Sequence, residues 1–368
     1  MTTARVAVIR GDGIGVDVTD ACLAVMAEAL RKAGQPPLEL HDIGAGAAYY
    51  RDHGVDMEPG GEEAAGEADA ILLGAIGLPS IRARDGTEIS PHLRLRDRYQ
   101  LYAGVRPIKA YPNAPRRLVD ERAANLDLII IRESTEGLFY SAAVHGRTRF
   151  DGDDAVYETL RISRGISERL HRFAFALTQR RQERKGRPGN LTCVDKANVF
   201  ASMAFFRKIF DEIRPDFPDV SVGYNYVDAM ALDLVRKPWE FDVMVTENMF
   251  GDILSDLAGG LVGGMGIAPC GEIGDTIGLF QPAHGSAPDI MGQDKANPLA
   301  AILSGALMLD YLADKRDIAG LATAAGLIEA AVEDGFTKNL IRPMEFGGDM
   351  GTRAVTAQLI SLVGNGRS

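Results

Sequence analysis

Two spacings of apolar residues alternate along this 368-residue chain. Short β-rich runs at 5–9, 38–42, 70–73, 126–131, 191–194 and 241–245 read as strands. Between them, apolar positions three or four residues apart predict helices over about 17–33, 166–184, 197–214, 298–315 and 318–334. Strands and helices interleave from end to end, so the pattern predicts an α/β protein. No internal repeat, low-complexity tract or Gly/Ser linker marks a border, and the length alone points to two domains at roughly 150 residues each.

Composition adds limits. With 46% hydrophobic and 25% charged residues the chain falls in the globular range. A net charge of −11 argues against a general nucleic-acid or anionic-membrane surface, so an anionic ligand must be held by local basic residues. Cys22, Cys193 and Cys270 lie far apart without C-x-x-C spacing. That argues against a structural zinc site or a disulfide framework and fits a reducing cytoplasm. The N-terminus lacks a basic-then-apolar signal pattern, and no apolar run approaches the ~20 residues needed to cross a bilayer; a soluble, unprocessed protein is expected. The basic stretch 180–187 reads as the solvated end of a helix, where cations complement the dipole.

Gly11-Asp12-Gly13-Ile14-Gly15 follows a strand, opens a helix and is trailed by Asp42 at the end of a second apolar run. This outline resembles a dinucleotide-binding turn, but the spacing is G-x-G-x-G without the usual third glycine. Asp12 and Asp17 would also repel a pyrophosphate there. A plain tight turn is the simpler reading, with the dinucleotide loop as its alternative.

Chemistry concentrates elsewhere. Asp252 and Asp256 stand four apart in a helix-like segment whose neighbours Ile253, Leu254 and Leu257 are apolar, so both carboxylates leave one face and repel. A hard divalent cation such as Mg²⁺ or Mn²⁺ would offset them, the alternative being two solvated acids. Asp228 could complete an oxygen set. Arg94, Arg96, Arg98, Arg106 and Arg132 occur in unusually apolar company, and Arg132 ends an isoleucine-rich strand, where open α/β sheets bind ligands. Guanidinium forks pair carboxylates or phosphates, although each arginine alone could equally serve a structural ion pair. Lys196 stands at a strand-to-helix junction, placed either as a general acid or base or as an exposed lysine. The stretch 280–290 reads as a turn-rich loop before a helix, able to admit a nucleotide or merely to connect. His41, His53, His145 and His171 show no ligand spacing and read as surface or core residues.

Taken in order, Gly11 to Gly15, Leu101-Tyr102-Ala103-Gly104-Val105-Arg106-Pro107, Asn248-Met249-Phe250-Gly251-Asp252-Ile253-Leu254-Ser255-Asp256 and His284-Gly285-Ser286-Ala287-Pro288-Asp289-Ile290 span nearly the whole chain. Together they resemble the β-decarboxylating dehydrogenases, the isocitrate and isopropylmalate dehydrogenase family that also takes in homoisocitrate, tartrate and D-malate enzymes. The resemblance implies an isopropylmalate dehydrogenase-like two-domain fold rather than a conventional Rossmann fold. Residues 1–106 plus 264–368 would form the first domain and 107–263 the second. It further implies a homodimer with active sites shared across the interface.

Position by position, the resemblance assigns Arg96, Arg106 and Arg132 to the malate carboxylates and Asp252 and Asp256 to a Mg²⁺ or Mn²⁺ ion. Asp228 and the catalytic Lys196 would reach the site from the partner chain. The cofactor would lie along His284, Gly285, Ser286, Ala287, Asp289 and Ile290, with Asn297 at the adenine. Asp289 followed by Ile290 matches the NAD-using members, and a carboxylate there would accept ribose hydroxyls while repelling a 2′-phosphate.

Two departures stand out. The family's catalytic tyrosine position is Phe139 here, with Tyr140 next in line as the replacement. The specificity segment carries Ser90, His92 and Leu93, mixing polar and aliphatic character. The resemblance therefore implies an NAD-dependent, metal-requiring oxidative decarboxylase of a 3-substituted (2R)-malate. 3-Isopropylmalate, converted to 2-oxoisocaproate and CO₂ in leucine biosynthesis, is the first candidate. Tartrate, D-malate, isocitrate and homoisocitrate are the alternatives, and a non-catalytic subunit that binds carboxylate and nucleotide is the reading from another class.

Overall fold

The structure is a computed structural model that describes residues 3–84, 86–141, 148–186 and 188–366; His145 and Arg187 fall outside these. The first half runs β1 (Arg5–Gly11), α1 (Ile14–Lys32), β2 (Glu39–Asp42), α2 (Ala47–His53), α3 (Gly61–Glu67), β3 (Ala70–Ala75), α4 (Pro91–Arg98), β4 (Ala103–Lys109) and β5 (Asp127–Glu133). A small hairpin, β6 (Arg149–Asp151) and β7 (Ala155–Tyr157), leads into α5 (Arg164–Lys185), β8 (Asn190–Asp195), α6 (Ala201–Ile213), β9 (Ser221–Tyr226) and α7 (Val227–Arg236). There follow β10 (Val243–Thr246), α8 (Asn248–Val262), β11 (Pro269–Ile273), β12 (Gly278–Pro282), α9 (Leu299–Arg316), α10 (Ala319–Thr337) and α11 (Thr352–Asn365).

Ten strands form one sheet in the order β2-β1-β3-β12-β11-β4-β5-β10-β8-β9. The two ends of the sheet are parallel blocks, β2-β1-β3-β12 and β5-β10-β8-β9, and the centre from β12 through β11 and β4 to β5 is antiparallel. Inner strands such as β3 and β10 are buried along their whole length, as strands covered on both faces must be. One core packs α1, α9, α10 and α11 with Ile108, Leu128, Ile130, Met244 and Leu254. A second fills the opposite face under α5 and α6 around Phe175, Phe206 and Phe210. A third joins Ile9, Ile71 and Leu73 to Leu95 of α4.

The five predicted helices are present, their ends moved by a few residues; the largest shift is at 197–200, which forms a turn on Lys196 O before α6 begins. Strands β4, β9, β11 and β12 were hidden by internal Gly, Pro or charged residues. Residues 280–282, expected in a loop, belong to β12: Phe280 pairs with Leu72 of β3 and Gln281 with Cys270 of β11. Pairing on both sides supplies the hydrogen bonds that the sequence of β12 does not advertise.

The basic helix end is tied down rather than free, since Arg181 bonds Asp127 and Asp242 and Arg184 bonds Asp310. All three cysteines are buried free thiols. Among the described residues no helix is long and apolar enough to cross a membrane.

Candidate active site

Register places the arginines. Gly104 of β4 faces Glu272 of β11 on one side and Arg132 of β5 on the other, and Arg106 follows two residues along β4. Directly opposed residues, and residues two apart in a strand, share a face. Arg106, Arg132 and Glu272 therefore rise from the same face of the sheet, and Arg96 joins them from the last turn of α4. All three guanidinium residues are buried, at 7%, 6% and 4% exposure for Arg96, Arg106 and Arg132. Glu272 Oε1 accepts from Arg106 Nη2 at 2.7 Å and is ion-paired with Arg96 Nη2 at 3.0 Å. Burial alone would push this carboxyl up, but the charges of Arg96, Arg106 and Arg132 hold it at about 2. Arg96 Nε and Arg106 Nη1 are buried without a protein acceptor.

Of the alternating arginines on α4, only Arg96 turns inward. A helix rotates about 100° per residue, so Arg94 and Arg98 lie elsewhere on its circumference. They pair at the surface, Arg94 with Asp56 and Glu62 and Arg98 with Glu62 and Glu63. His92, one turn before Arg96, has a buried Nδ1 with no partner; burial, then the charge of Arg96, depress its pKa to about 3, so the ring is neutral. Ser90 sits at the N-cap position before Pro91, and Leu93 is half-buried.

α8 lays its first turn on the end of β5. Glu247 caps it, accepting from Phe250 N at 2.7 Å and Met249 N at 3.2 Å. Asn248 Oδ1 accepts from Arg132 Nε at 2.9 Å and Nη2 at 2.7 Å, while its Nδ2 donates to Glu136 O at 2.9 Å. Arg132 Nη1 donates to Asp252. Burial lowers Arg132 to about 10, with the charge of Asp252 opposing and those of Arg96 and Arg106 adding to the shift. Asp256 is raised, first by desolvation and then by Asp252, against the pull of Arg106 and Arg132. Two carboxylates one turn apart on α8, beside arginine N–H groups that lack acceptors, suit a hard divalent cation.

Lys196 and Asp228 form a separate pair. Lys196 directly follows β8 and Asp228 lies in the first turn of α7, two residues after β9, so both stand at carboxyl ends of parallel strands, and Lys196 Nζ donates to Asp228. That bond is the first cause holding Asp228 below the usual carboxylate range. Behind them, buried Asp195 accepts from Arg207 Nε and Nη2 at 2.7 and 2.8 Å and from Ala197 N at 2.8 Å, fixing the backbone on both sides of Lys196. Among the described residues no three His, Cys, Asp or Glu side chains converge as a metal site, so Asp228 is not gathered with Asp252 and Asp256 within one chain. Phe139 lies with its ring 5.2 Å from Arg132 Cζ, whereas the Tyr140 ring stacks 4.8 Å from Arg161 Cζ.

The glycine turn is a brace. Ile14 N, first in α1, donates to Ser286 O at 2.7 Å, and a Cβ on Gly13, at φ +56°, would fall 2.0 Å from that oxygen. Asp12 accepts from Ala47 N, Ala48 N and Gly77 N at 2.8, 2.8 and 2.7 Å, and Asp17 accepts from Gly292 N at 2.8 Å. Asp42, the would-be ribose acid of the dinucleotide alternative, is ion-paired with Arg10. The helix N-terminus that would face a pyrophosphate is thus filled by the loop 284–290, and the tight-turn reading holds.

That loop is held open by its supports. Ser286 Oγ donates to Gly77 O, and His284 Nδ1 lies 2.8 Å from Gly285 O while its Nε2 is buried without a partner. Gly285 has open space around it and Asp289 is exposed. Ile290 packs on the core beside α9. Asn297 donates to Glu345 Oε2 at 2.9 Å and accepts from Leu299 N at 3.2 Å, leaving one amide N–H for a ligand. These features fit a dinucleotide lying along the loop.

Glu272, Asn248, Asp195 and Arg207 were not legible as site residues. Glu272 lies in a Pro/Gly-broken run without helical or strand alternation. Asn248 did stand in the strongest motif, one residue from Glu247, which was the available signal.

Comparison with known proteins agrees over the full length. A family model described as isocitrate/isopropylmalate dehydrogenase matches residues 5–363. A 3-isopropylmalate dehydrogenase from Moorella thermoacetica is 40% identical over 333 residues, 89% of each chain. A 3-isopropylmalate/3-methylmalate dehydrogenase from Methanocaldococcus jannaschii is 38% identical over 350 residues, 95% of each. Among solved structures, an isocitrate dehydrogenase from Methylococcus capsulatus superposes with a TM-score of 0.84 at 29% identity, covering 99% of this chain and 100% of that one. A β-decarboxylating dehydrogenase from Thermococcus kodakarensis gives 0.78 at 35% identity, covering 98% and 96%.

Proposed function

The chain belongs to the isocitrate/isopropylmalate dehydrogenase family and is a decarboxylating dehydrogenase, and from that premise we propose its substrate, cofactors and assembly. The substrate is a 3-substituted (2R)-malate, with 3-isopropylmalate first among the alternatives because relatives of that name match over most of the chain. NAD is the oxidant and Mg²⁺ or Mn²⁺ the metal. The enzyme works as a cytoplasmic homodimer whose two domains, 1–106 plus 264–368 and 107–263, face a shared cleft.

The observation that carries this reading is the convergence of Arg96, Arg106 and Arg132 beside Asp252 and Asp256. The free guanidinium donors Arg96 Nε and Arg106 Nη1 bind the substrate carboxylates, and Arg132, fixed by Asn248, orients them. Asp252, Asp256 and the partner's Asp228 would hold the metal, which when bound would supply a Lewis acid for the C2 oxygen. The partner's Lys196 would take the C2 hydroxyl proton, and NAD when bound would supply the hydride acceptor for C2. After the C3–C4 bond breaks, the enol that remains needs a proton at C3. Phe139 has none to give, and the proposal assigns that step to Tyr140, the phenol next to it. Asp289 accepts from the ribose hydroxyls, which favours NAD over its 2′-phosphorylated form.

NADH formation and CO₂ release, followed across 3-isopropylmalate, D-malate, tartrate, isocitrate and homoisocitrate with Mn²⁺ or with EDTA, test the proposal. Metal-dependent NADH with equal CO₂ is expected on a 3-alkylmalate and should vanish with EDTA. NADH without CO₂ would overturn the decarboxylation half of the proposal. Silence on every substrate, with binding retained, would replace catalysis by carboxylate and nucleotide binding in a non-catalytic subunit, the reading that Phe139 favours.

A further inference from the structure

The arginine cluster contains its own carboxylate. Glu272 has no exposed surface, and its Oε1 is shared by Arg96 and Arg106. The side chain reaches them because Gly104 lacks a Cβ, which would stand 2.9 Å from Glu272 Oε2 and 2.6 Å from Ser134 Oγ. Cys270 Sγ, 3.5 Å away, is a weak donor to the same oxygen. Among the described residues no other acid forms an ion pair with Arg96 or Arg106, and Asp252 pairs with Arg132. The neighbouring imidazole of His92 is neutral. With Asp252 set aside as a carboxylate of the proposed metal site, three guanidiniums and Glu272 leave two positive charges in a desolvated pocket, with two buried N–H donors still unpaired.

We propose that Glu272 sets the charge of the guanidinium cluster, matching it to a substrate with two carboxylates and disfavouring one with three. Glu272 is a positioning and specificity residue that acts through Arg96 and Arg106. An uncompensated cluster of three guanidiniums would favour a tricarboxylate; the fixed negative charge repels a third carboxylate brought beside it, and the low local dielectric keeps that repulsion effective. The shared Oε1 also holds the two forks so that Arg96 Nε and Arg106 Nη1 remain available. This inference rests on the proposed reaction for its substrates, but binding alone can test it.

Glu272→Gln keeps an acceptor oxygen for both arginines and deletes only the charge. Citrate and D-malate binding is measured by calorimetry on the full-length protein, at a pH where all ligand carboxylates are ionised. The citrate-to-malate affinity ratio should rise by about tenfold in the variant, the order expected for one unit charge at this range. The isocitrate-to-D-malate ratio of kcat/KM should move the same way. Glu272→Ala, which also removes the acceptor, should weaken both ligands. A ratio within about twofold of wild type in a folded Glu272→Gln protein would overturn the assignment. If that variant does not fold, wild-type binding decides, because citrate outcompeting D-malate in the unsubstituted protein would equally overturn it. Absent turnover with the expected ratio shift would refute the proposed reaction alone, and turnover with an unmoved ratio would refute the role of Glu272 alone.

Discussion

Gly251 is where helix α8 touches the arginine that the site depends on, and adding one methyl group there probes that contact. A Cβ on Gly251 would lie 2.7 Å from Arg132 Cβ, 2.8 Å from Cγ and 3.1 Å from Cα. These atoms belong to the root of a buried side chain pinned by Asn248 and Asp252, so they cannot swing aside. Ordinary contact begins at 3.4 Å, so strand and helix must part by roughly 0.7 Å in Gly251→Ala. Overpacking of this kind costs about 1–3 kcal/mol, and the better helix propensity of alanine returns about 1 kcal/mol. The net loss of stability should be no more than about 2 kcal/mol. Activity should suffer more, because Asp252 follows Gly251 directly and a misplacement near 1 Å can cost on the order of 100-fold. Metal-dependent kcat/KM is therefore expected to fall by about ten- to a hundredfold while urea denaturation shows a folded protein. Gly260→Ala on the same helix is the control: its Cβ would enter open space, so stability should hold or rise and activity should not change. Wild-type kcat/KM in Gly251→Ala, or an equal loss in Gly260→Ala, would refute the argument that contact with Arg132 fixes the carboxylates proposed for the metal.

Asp12→Ala should destabilise the protein by about 3 kcal/mol in urea titrations, because three backbone N–H groups lose a charged acceptor at about 1 kcal/mol each; a loss under about 1 kcal/mol would show that water replaces it. His171 is buried between Phe206 and Phe210, and burial lowers its pKa to about 3 despite its bond to Phe206 O. The unfolded chain therefore takes up the proton first as pH falls below 6.5, and stability should drop by about 1.4 kcal/mol per pH unit for this residue, so His171→Leu should flatten the acid limb. An unchanged slope would mean that the ring protonates in the folded state. Replacing Asp289 and Ile290 by lysine and tyrosine should raise the NADP-to-NAD ratio of kcat/KM, since it exchanges a repulsion of the 2′-phosphate for an attraction; an unmoved ratio would take the ribose away from Asp289.

The sequence by itself determined the elements whose burial is continuous or regularly spaced. The isoleucine run of β5, the apolar strands β1, β3, β8 and β10, and helices α1, α5, α9 and α10 each carry a periodicity that needs no distant partner to be seen. It also singled out candidate chemical residues, since arginines and aspartates in apolar surroundings stand out locally. Tertiary structure decided the rest. Strands β4 and β11 hold Gly104, Pro107, Pro269 and Gly271, which weaken every local strand signal, and they form because neighbours on both sides complete their ladders. Among the arginines of α4, local pattern offered three equivalents and only the family resemblance singled out Arg96; the packing of Leu95 into the core turned Arg96 inward and left Arg94 and Arg98 to surface acids. The glycine turn carried the same letters whether it cradled a phosphate or braced a loop, and the contact of Ile14 N with Ser286 O, made across the fold, chose the brace. Glu272 shows the division most plainly. Nothing within ten residues of it hints at a partner, and its role exists only because antiparallel register sets it across Gly104 from Arg132, within reach of Arg96 and Arg106. Local pattern is a short-range property of the chain, whereas register and charge pairing are set by contacts between segments that the sequence keeps far apart.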